Sequence, residues 1–152
     1  MPDIKIAFGS DHRGFALKTT LIKYALDKGY EVKDFGPDSA ESCDYVDFAR
    51  AAAEAVARGD ADYGVLVCGS GIGMSIAANK VPGVRAALVF NRWMTEMTRR
   101  HNDANVLCLS GDTIAPALAE DILDIFLSAE FEGGRHGRRV GKITDIEVDY
   151  SG

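Results

Sequence analysis

Short apolar runs alternate along the chain with longer segments in which apolar residues recur at helical spacing. The short runs are rich in β-branched and aromatic residues, and turn-forming residues bound them, which is typical of buried strands. We therefore predict five strands, which cover Ile4–Phe8, Tyr30–Phe35, Tyr63–Val67, Val84–Phe90 and Asn105–Leu109.

Two of the longer segments carry the apolar stripe of an amphipathic helix. The stripes consist of Leu17, Leu21, Ile22 and Ala25 in the first segment and of Ala115, Leu118, Ile122, Ile125 and Phe126 in the last. Gly29 follows the first stripe, where a helix often ends in a residue with positive φ. Strands that alternate with helices are joined by right-handed crossovers, which makes the sheet parallel. We predict an α/β fold, a single-domain Rossmann-like (flavodoxin-like) three-layer sandwich with a five-stranded parallel sheet.

The length and charge of the chain limit its class. Its 152 residues suffice for one ordinary domain with a sizeable core, and no repeat or linker divides them, so we predict a single domain over residues 1–152. The net charge of -6 argues against a nucleic-acid partner, which normally requires a basic face. However, "GGRHGRRVGK", residues 133–142, contains four Arg or Lys residues and one His without an acid. This local cluster is a candidate site for a small anion.

The cysteines and the apolar runs indicate the compartment. Cys43, Cys68 and Cys108 are odd in number, far apart and in no CxxC pair, which argues against a disulfide framework and a zinc site. The first residues lack the basic start of a signal peptide, and no apolar run approaches the roughly 20 residues of a membrane helix. We expect a cytoplasmic protein without a membrane partner or a metal.

In an open parallel sheet, ligands bind beyond the carboxyl ends of the strands. Ser10–Arg13 follow the first predicted strand, Cys68 and a glycine-rich loop follow the third, and Ser110–Asp112 follow the fifth. His101 and Asn102 end the segment before the fifth strand, and we count them with the same concentration of titratable groups. We therefore expect these residues at one rim of the sheet.

The loop "CGSGIGMSIAANK", residues 68–80, differs from the known nucleotide motifs. Its glycines do not follow GxGxxG, no Gly-Lys-Ser/Thr follows as in a P-loop, and no arginine closes the loop as in a cysteine phosphatase. What remains is a row of backbone N–H groups next to a thiol. Such a row stabilises a bound phosphate or an oxyanion that develops during a reaction. Cys68 is then either a base, since a helix N-terminus favours the thiolate, or a small core residue.

Five segments of the chain resemble, in order and spacing, the ribose-5-phosphate isomerase B family, which also includes allose-6-phosphate and galactose-6-phosphate isomerases. They are "AFGSDHRGF", "DYVDFA", "CGSGIGMSIAANK", "RRHNDANVL" and "EGGRHGRRV". The resemblance covers nearly the whole chain and implies a homodimer or a dimer of dimers with active sites at the subunit interface. We expect the C-terminal segment, about residues 130–152, to contribute to that interface.

The resemblance implies a role for each matching residue of the loop. Cys68 matches the base that moves a proton between C1 and C2 of the open-chain sugar. A second branch of the family uses a glutamate six residues later, where this chain has Met74. Ser70 would assist at the reacting oxygens. The backbone N–H groups that would hold the enediolate belong to Gly69, Gly71, Ile72 and Gly73.

The sugar contacts implied by the resemblance have alternative structural roles. His101 matches the residue that opens the sugar ring by proton transfer, with Asn102 beside it, and Asp11 would bind hydroxyls near the ring oxygen. His101 by itself is also typical of a helix end, whose partial negative charge favours an imidazolium. Asp11 by itself suits the N-cap of the first helix.

The resemblance places the phosphate away from the glycine loop. The family's phosphate ligands match His12, Arg135 and Arg139, and at least some of them would come from the neighbouring subunit. Tyr45 either lines the pocket or packs against it. Many family members carry a substrate-binding arginine after the fifth strand, where this chain has Asp112, an acid that would repel a phosphate.

The motifs together predict a metal-independent aldose-ketose isomerase without a cofactor. We expect it to interconvert D-ribose 5-phosphate and D-ribulose 5-phosphate, a step of the pentose phosphate pathway, through a cis-enediolate with Cys68 as base. Because Asp112 indicates altered substrate contacts, a hexose 6-phosphate, allose or galactose 6-phosphate, is the alternative substrate. A non-catalytic phosphate- or nucleotide-binding module is the alternative from a different class. Cys68, Ser70 and His101 together supply more chemistry than binding alone requires.

Overall fold

The computed structural model describes residues 3–151, in which strands and helices alternate. The strands are β1 (Lys5–Ser10), β2 (Glu31–Asp34), β3 (Tyr63–Cys68), β4 (Ala86–Leu88) and β5 (Val106–Ser110). The helices are α1 (Phe15–Asp27), α2 (Tyr45–Arg58), α3 (Ile72–Ala78), α4 (Arg92–Asn102), α5 (Pro116–Ser128) and α6 (Arg135–Tyr150). Within residues 3–151, no helix combines the length and apolar character needed to cross a membrane.

All five strands form one parallel sheet in the order β2-β1-β3-β5-β4, which confirms the predicted fold class. The last two strands are exchanged relative to the flavodoxin order 2-1-3-4-5. Chain order reverses between the neighbouring strands β1 and β3, which creates the switch point where such sheets bind ligands. In the register there, Ser10 pairs with Val67, and Cys68 pairs with Ser110 on β5. The ends of β1, β3 and β5 therefore meet at one edge of the sheet, which we call the carboxyl edge.

The sheet is buried on both faces by helices, as its apolar strands predict. On one face, Phe8 and Val65 pack with residues of α1 and α5, including Leu21 and Phe126. On the other face, the small residues of α2 and α3 pack with Leu66 and its neighbours, so these helices lie close to the strands. This packing fixes the ends of β1 and β3, from which the site residues project.

Two details of the sequence prediction are wrong. β4 is limited to Ala86–Leu88 because it is an edge strand that pairs only with β5. In the last predicted stripe, Ala115 precedes α5, which starts at Pro116, and Ile125 is only half-buried. The buried residues of α5 also include members that the stripe omits, namely Ala119, Leu123 and Leu127. Gly29 has a φ of 90° at the end of α1, as the sequence predicts.

Helix α6 covers most of the C-terminal segment and packs against α4. His136 is buried, whereas Ile143, Ile146 and Val148 are exposed. Large exposed apolar side chains on one helix are typical of a surface that contacts another protein.

Candidate active site

Cys68 is the last residue of β3 and lies at the switch point of the sheet. It is 5% exposed and packs in the apolar cluster beneath α2 and α3. Its sulfur also accepts a hydrogen bond from the Gly71 N–H at 3.1 Å. The thiol therefore has both features that the sequence left as alternatives, burial and a polar contact suited to a base.

The loop after Cys68 requires glycine for two separate reasons. Gly71 has a φ of 80°, and a Cβ there would lie 2.6 Å from the Leu88 side chain and 2.9 Å from the carbonyl of Leu109. A Cβ on Gly73 would lie 2.5 Å from the ring of Tyr45. Tyr45 therefore packs directly on the loop. Ser70 is exposed, and its hydroxyl accepts a hydrogen bond from the Ile72 N–H at 3.1 Å.

The end of β5 fixes the position of this loop. The Ser110 hydroxyl donates to the Gly69 carbonyl at 2.7 Å, and the Asp112 N–H donates to the same carbonyl at 3.1 Å. The Gly111 N–H donates to the Cys68 carbonyl at 2.8 Å. These bonds hold the Cys68 and Gly69 carbonyl groups against the end of β5.

Asp11 and His12 follow β1 and lie at the same edge as Cys68. The Asp11 carboxylate accepts the N–H groups of Arg13 and Gly14, both at 2.9 Å. The N-cap of α1 is Gly14, so Asp11 shapes the turn before the helix and is not its N-cap. His12 Nδ1 accepts the Cys43 N–H at 3.3 Å, which orients the imidazole.

Arg13 is a residue of this edge that the sequence interpretation did not assign to the site. Its guanidinium donates to the Asp112 carboxylate, and the pair lies over Gly69. A Cβ on Gly69 would be 3.0 Å from Arg13 Nε and 3.1 Å from Asp112 Oδ2. The motif "DHRGF" contained the signal, because Arg13 directly follows two predicted ligands.

His101 lies at the opposite edge of the sheet, so the expectation of a single rim is wrong. In a parallel α/β fold, a helix ends near the amino end of the strand that follows it, and α4 leads into β5. Arg99 Nη2 lies 3.2 Å from the hydroxyl of Tyr63, the first residue of β3, and Arg85, just before β4, donates to the Asn102 carbonyl at 3.0 Å. His101 and Asn102 therefore lie at the amino edge of the sheet.

A network of charged and aromatic groups surrounds His101. Its ring stacks on the ring of His136 with centroids 4.0 Å apart and an interplanar angle of 7°. Glu132 lies 3.7 Å from His101 Nε2 and 3.6 Å from His136 Nε2, and it is also paired with Arg100 at 2.5 Å. Burial and the neighbouring His101 and Arg135 lower the pKa of His136. Burial alone would raise the pKa of Glu132, but Arg100 outweighs it, so this pKa is lowered and the carboxylate stays charged.

Within residues 3–151, His101, Glu132 and His136 are the one group of three or more His, Cys, Asp or Glu residues whose possible metal-ligand atoms all lie within 4.8 Å of one another. An imidazole binds a metal through a nitrogen lone pair that lies in the plane of its ring. The rings of His101 and His136 are stacked in parallel, so their lone pairs do not point at one ion. Arg100 already pairs with the Glu132 carboxylate. A metal ion would have to separate the stacked histidines and also the pair of Arg100 and Glu132. The arrangement therefore fits an ion-pair network better than a metal site.

Arg135 and Arg139 lie near the start of α6, next to His136, and so belong to the amino edge with His101. His12 lies at the carboxyl edge. The predicted phosphate ligands do not converge within one copy of the chain. The candidate residues thus fall into two separate groups, which we call candidate half-sites: one of Asp11, His12, Tyr45 and the Cys68–Gly73 loop, and one of His101, Asn102, Arg135 and Arg139.

Two other residues considered as a base, Met74 and Cys108, are buried near Cys68. Met74, at the position of the alternative base, is fully buried. Cys108 is also fully buried, as the sequence predicts, and burial raises its pKa far above the ordinary range of a thiol. Of the three residues Cys68, Met74 and Cys108, Cys68 is the one that ends its strand and has a polar contact, the Gly71 N–H.

The fold and the site define a class of protein: a parallel α/β domain with a thiol and a row of N–H groups at its switch point. The sequence pattern of the Ribose/Galactose Isomerase family matches residues 6–143, and the chain belongs to this family. It is 46% identical over 143 residues to ribose-5-phosphate isomerase B from Escherichia coli strain K12, covering 94% of this chain and 96% of that protein.

Solved structures are similar over the same length. The structure of ribose-5-phosphate isomerase B from Clostridium thermocellum has a TM-score of 0.96 and 52% identity, and covers 97% of this chain and 99% of that one. The crystal structure of ribose-5-phosphate isomerase B from Mycoplasma genitalium, with bound ribulose 5-phosphate, has a TM-score of 0.90 and 43% identity. That match covers 94% of this chain and 95% of the other.

Proposed function

We propose that the protein is an aldose-ketose isomerase that interconverts D-ribose 5-phosphate and D-ribulose 5-phosphate. The observation that carries this proposal is the Cys68 thiol, which is buried at the switch point and accepts the Gly71 N–H. The family, the relatives named above and the bound ribulose 5-phosphate in one of them support this substrate. We infer that the enzyme acts in the cytoplasm, where reducing conditions keep its three free cysteines as thiols.

The separation of the two half-sites supports a composite active site. Tyr63 and Cys68 are the first and last residues of β3, and a strand of this length spans roughly 16 Å. His101 lies near the Tyr63 end and Cys68 at the other end. A pentose phosphate cannot reach both within one copy. We infer that Cys68 of one protomer and His101 of a second protomer face the same substrate.

Exposed apolar side chains support this pairing of protomers. Around the glycine loop, Ile72, Ile76 and Val46 are about half-exposed, and Trp93 is 68% exposed. Large exposed apolar side chains such as these are typical of a protein interface. Helix α6 adds a second exposed apolar surface beside the His101 half-site. A homodimer would cover both apolar surfaces, and a dimer of dimers would form the same interface twice. The C-terminal segment, residues 130–152, would contribute to this interface through α6.

The reaction requires only proton transfers, so it is balanced without a cofactor. After His101 has assisted the opening of the furanose ring, the Cys68 thiolate removes the proton from C2 of the aldose. The electron pair moves onto O1, and the Gly69 and Gly73 N–H groups would hold the cis-enediolate, since the Gly71 N–H donates to Cys68 and the Ile72 N–H donates to Ser70. The thiol then returns the proton to C1, while the proton on O2 passes to O1 beside the Ser70 hydroxyl.

The remaining predicted residues bind the parts of the substrate that do not react. Asp11 would accept sugar hydroxyls through Oδ2, since its Oδ1 is occupied by two backbone N–H groups. Arg135 and Arg139 of the second protomer would bind the phosphate together with His12 of the first. Binding energy from the phosphate would position C1 and C2 against the thiolate, which raises the rate through proximity.

A direct assay tests the function. The purified protein is incubated with ribose 5-phosphate, allose 6-phosphate or galactose 6-phosphate in the presence of EDTA, and ketose formation is followed. We expect conversion of ribose 5-phosphate at the highest kcat/KM. A higher kcat/KM for a hexose 6-phosphate would favour the alternative substrate. Conversion of none of the three would refute the isomerase and favour a binding module.

A further inference from the structure

The ion pair of Arg13 and Asp112 lies over the first residue of the glycine loop. A Cβ on Gly69 would lie about as close to the guanidinium as to the carboxylate, at 3.0 and 3.1 Å. The two side chains come from different strand ends, since Arg13 follows β1 and Asp112 follows β5. The Asp112 N–H is fixed to the Gly69 carbonyl, which holds this acid beside the loop.

The position of Asp112 raises an electrostatic problem for the proposed reaction. The substrate carries a phosphate, and the intermediate is an enediolate, so both are anions. A carboxylate at the edge of the N–H row would repel them and weaken the field that the N–H groups create. A site for anions with this acid at its rim requires a cation that offsets the acid.

Arg13 is placed to supply that cation. One terminal nitrogen of its guanidinium donates to Asp112, and its other N–H groups make no hydrogen bond within residues 3–151. The Arg13 side chain is 60% exposed and that of Asp112 is 38% exposed. An ion pair this exposed contributes little to stability. The unused donors of Arg13 are therefore more relevant to a ligand than to the fold.

We propose that Arg13 is a substrate-binding residue that offsets the Asp112 carboxylate and contacts the anionic substrate at the Gly69 end of the loop. The inference rests on the proposed function and names a further residue of the same site. It also answers why an acid is tolerated there. The positive charge of the guanidinium offsets the negative charge of Asp112. Its planar set of donors also suits a bidentate contact with an oxyanion.

Removing the charge of Arg13 and removing the charge of Asp112 should change KM in opposite directions. A purely structural role of the ion pair would give the same loss in both variants. Arg13→Met leaves the carboxylate unbalanced, so the KM for ribose 5-phosphate is expected to rise about tenfold or more. Asp112→Asn frees the guanidinium and is expected to lower KM. In the double variant Arg13→Met/Asp112→Asn, KM is expected to fall well below that of Arg13→Met. Arg13→Lys keeps the charge and should retain most of the affinity.

Arg58→Met is the matched control. Arg58 pairs with Asp60 at 3.0 Å with a similarly exposed side chain, and it lies at the end of α2, away from the carboxyl edge. The KM of the Arg58→Met variant for ribose 5-phosphate should equal that of the unmodified protein within error. Equal losses in Arg13→Met and Asp112→Asn, or a KM that changes in neither while both lower the Tm, would overturn the proposal.

Binding measurements separate this inference from the isomerase function. In a Cys68→Ala background, which cannot use the thiol as base, calorimetry measures the Kd of ribose 5-phosphate directly. A weaker Kd on adding Arg13→Met supports the inference even if turnover proves absent. An unchanged Kd refutes it, whether or not the unmodified protein is an active isomerase.

Discussion

Cys68 and His101 lie at opposite edges of the same parallel sheet. Cys68 ends β3 at the carboxyl edge, whereas His101 lies near the end of α4, which leads to the amino edge of β5. The contact between Arg99 and Tyr63 fixes the end of α4 next to the first residue of β3. The two groups proposed for ring opening and proton transfer therefore act on one substrate only if two protomers supply them.

The base assigned to Cys68 is tested by substitution. Cys68→Ala removes the proton acceptor and is expected to reduce kcat at least about 100-fold, the lower range for general base catalysis, with ribose 5-phosphate still bound. Cys43→Ala is the control, because Cys43 contacts His12 through its backbone N–H, which alanine keeps. Its kcat should be close to that of the unmodified protein. Full activity in Cys68→Ala would show that another group is the base.

Gly71 is predicted to be irreplaceable for two additive reasons. Its φ of 80° disfavours a side chain, and a Cβ would also collide with Leu88 and with the Leu109 backbone. Gly59 has a φ of 82° but no atom within 4 Å of its Cβ position, so it isolates the first reason. Gly59→Ala should lower the free energy of unfolding by about 1 kcal/mol. Gly71→Ala should lower it distinctly more and reduce kcat; equal effects in denaturant titrations would show that the collision is relieved.

His136 is expected to make stability depend on pH. Burial, His101, Arg135 and Arg139 lower the pKa of His136, while Glu132 opposes them more weakly. The unfolded chain therefore takes up the proton first, so stability is full above the ordinary histidine pKa of about 6.5 and falls as pH decreases below it.

The substitution His136→Phe keeps an aromatic ring against His101 and removes this titration. Between pH 7.5 and 5.5, the Tm of the unmodified protein should fall more than that of the variant. This range lies above the titration of Glu132, whose lowered pKa places its loss of stability at more acidic pH. The same decrease in both proteins would contradict the role given to His136.

The sequence predicted the position of Cys68 at the end of the third strand, followed by a glycine loop, because this signal is local. An apolar strand that ends in cysteine and glycines determines both the position of the thiol and the shape of the loop. The sequence also contained the information that places His101 at the amino edge. A helix that precedes a parallel strand ends near the amino end of that strand, and His101 lies at the end of such a helix. The prediction of a single rim is wrong because His101 lies at the end of a helix and not after a strand.

The contacts between distant segments could not be predicted in this way. Arg13 and Asp112 are 99 positions apart and meet only because β1 and β5 both flank β3. The stacking of His136 on His101 depends on how α6 packs against α4. Most of α6 is exposed, so its apolar pattern does not determine that packing.

Complementation between two inactive variants tests the composite isomerase site most directly. Cys68→Ala and His101→Gln are each expected to be nearly inactive with ribose 5-phosphate. A hybrid dimer of one copy of each, isolated through two different affinity tags, contains one site with both residues intact and one with neither. Because one of its two sites is intact, we predict that this hybrid regains about half of the activity of the unmodified dimer. A stable hybrid that is no more active than its two parents would contradict it.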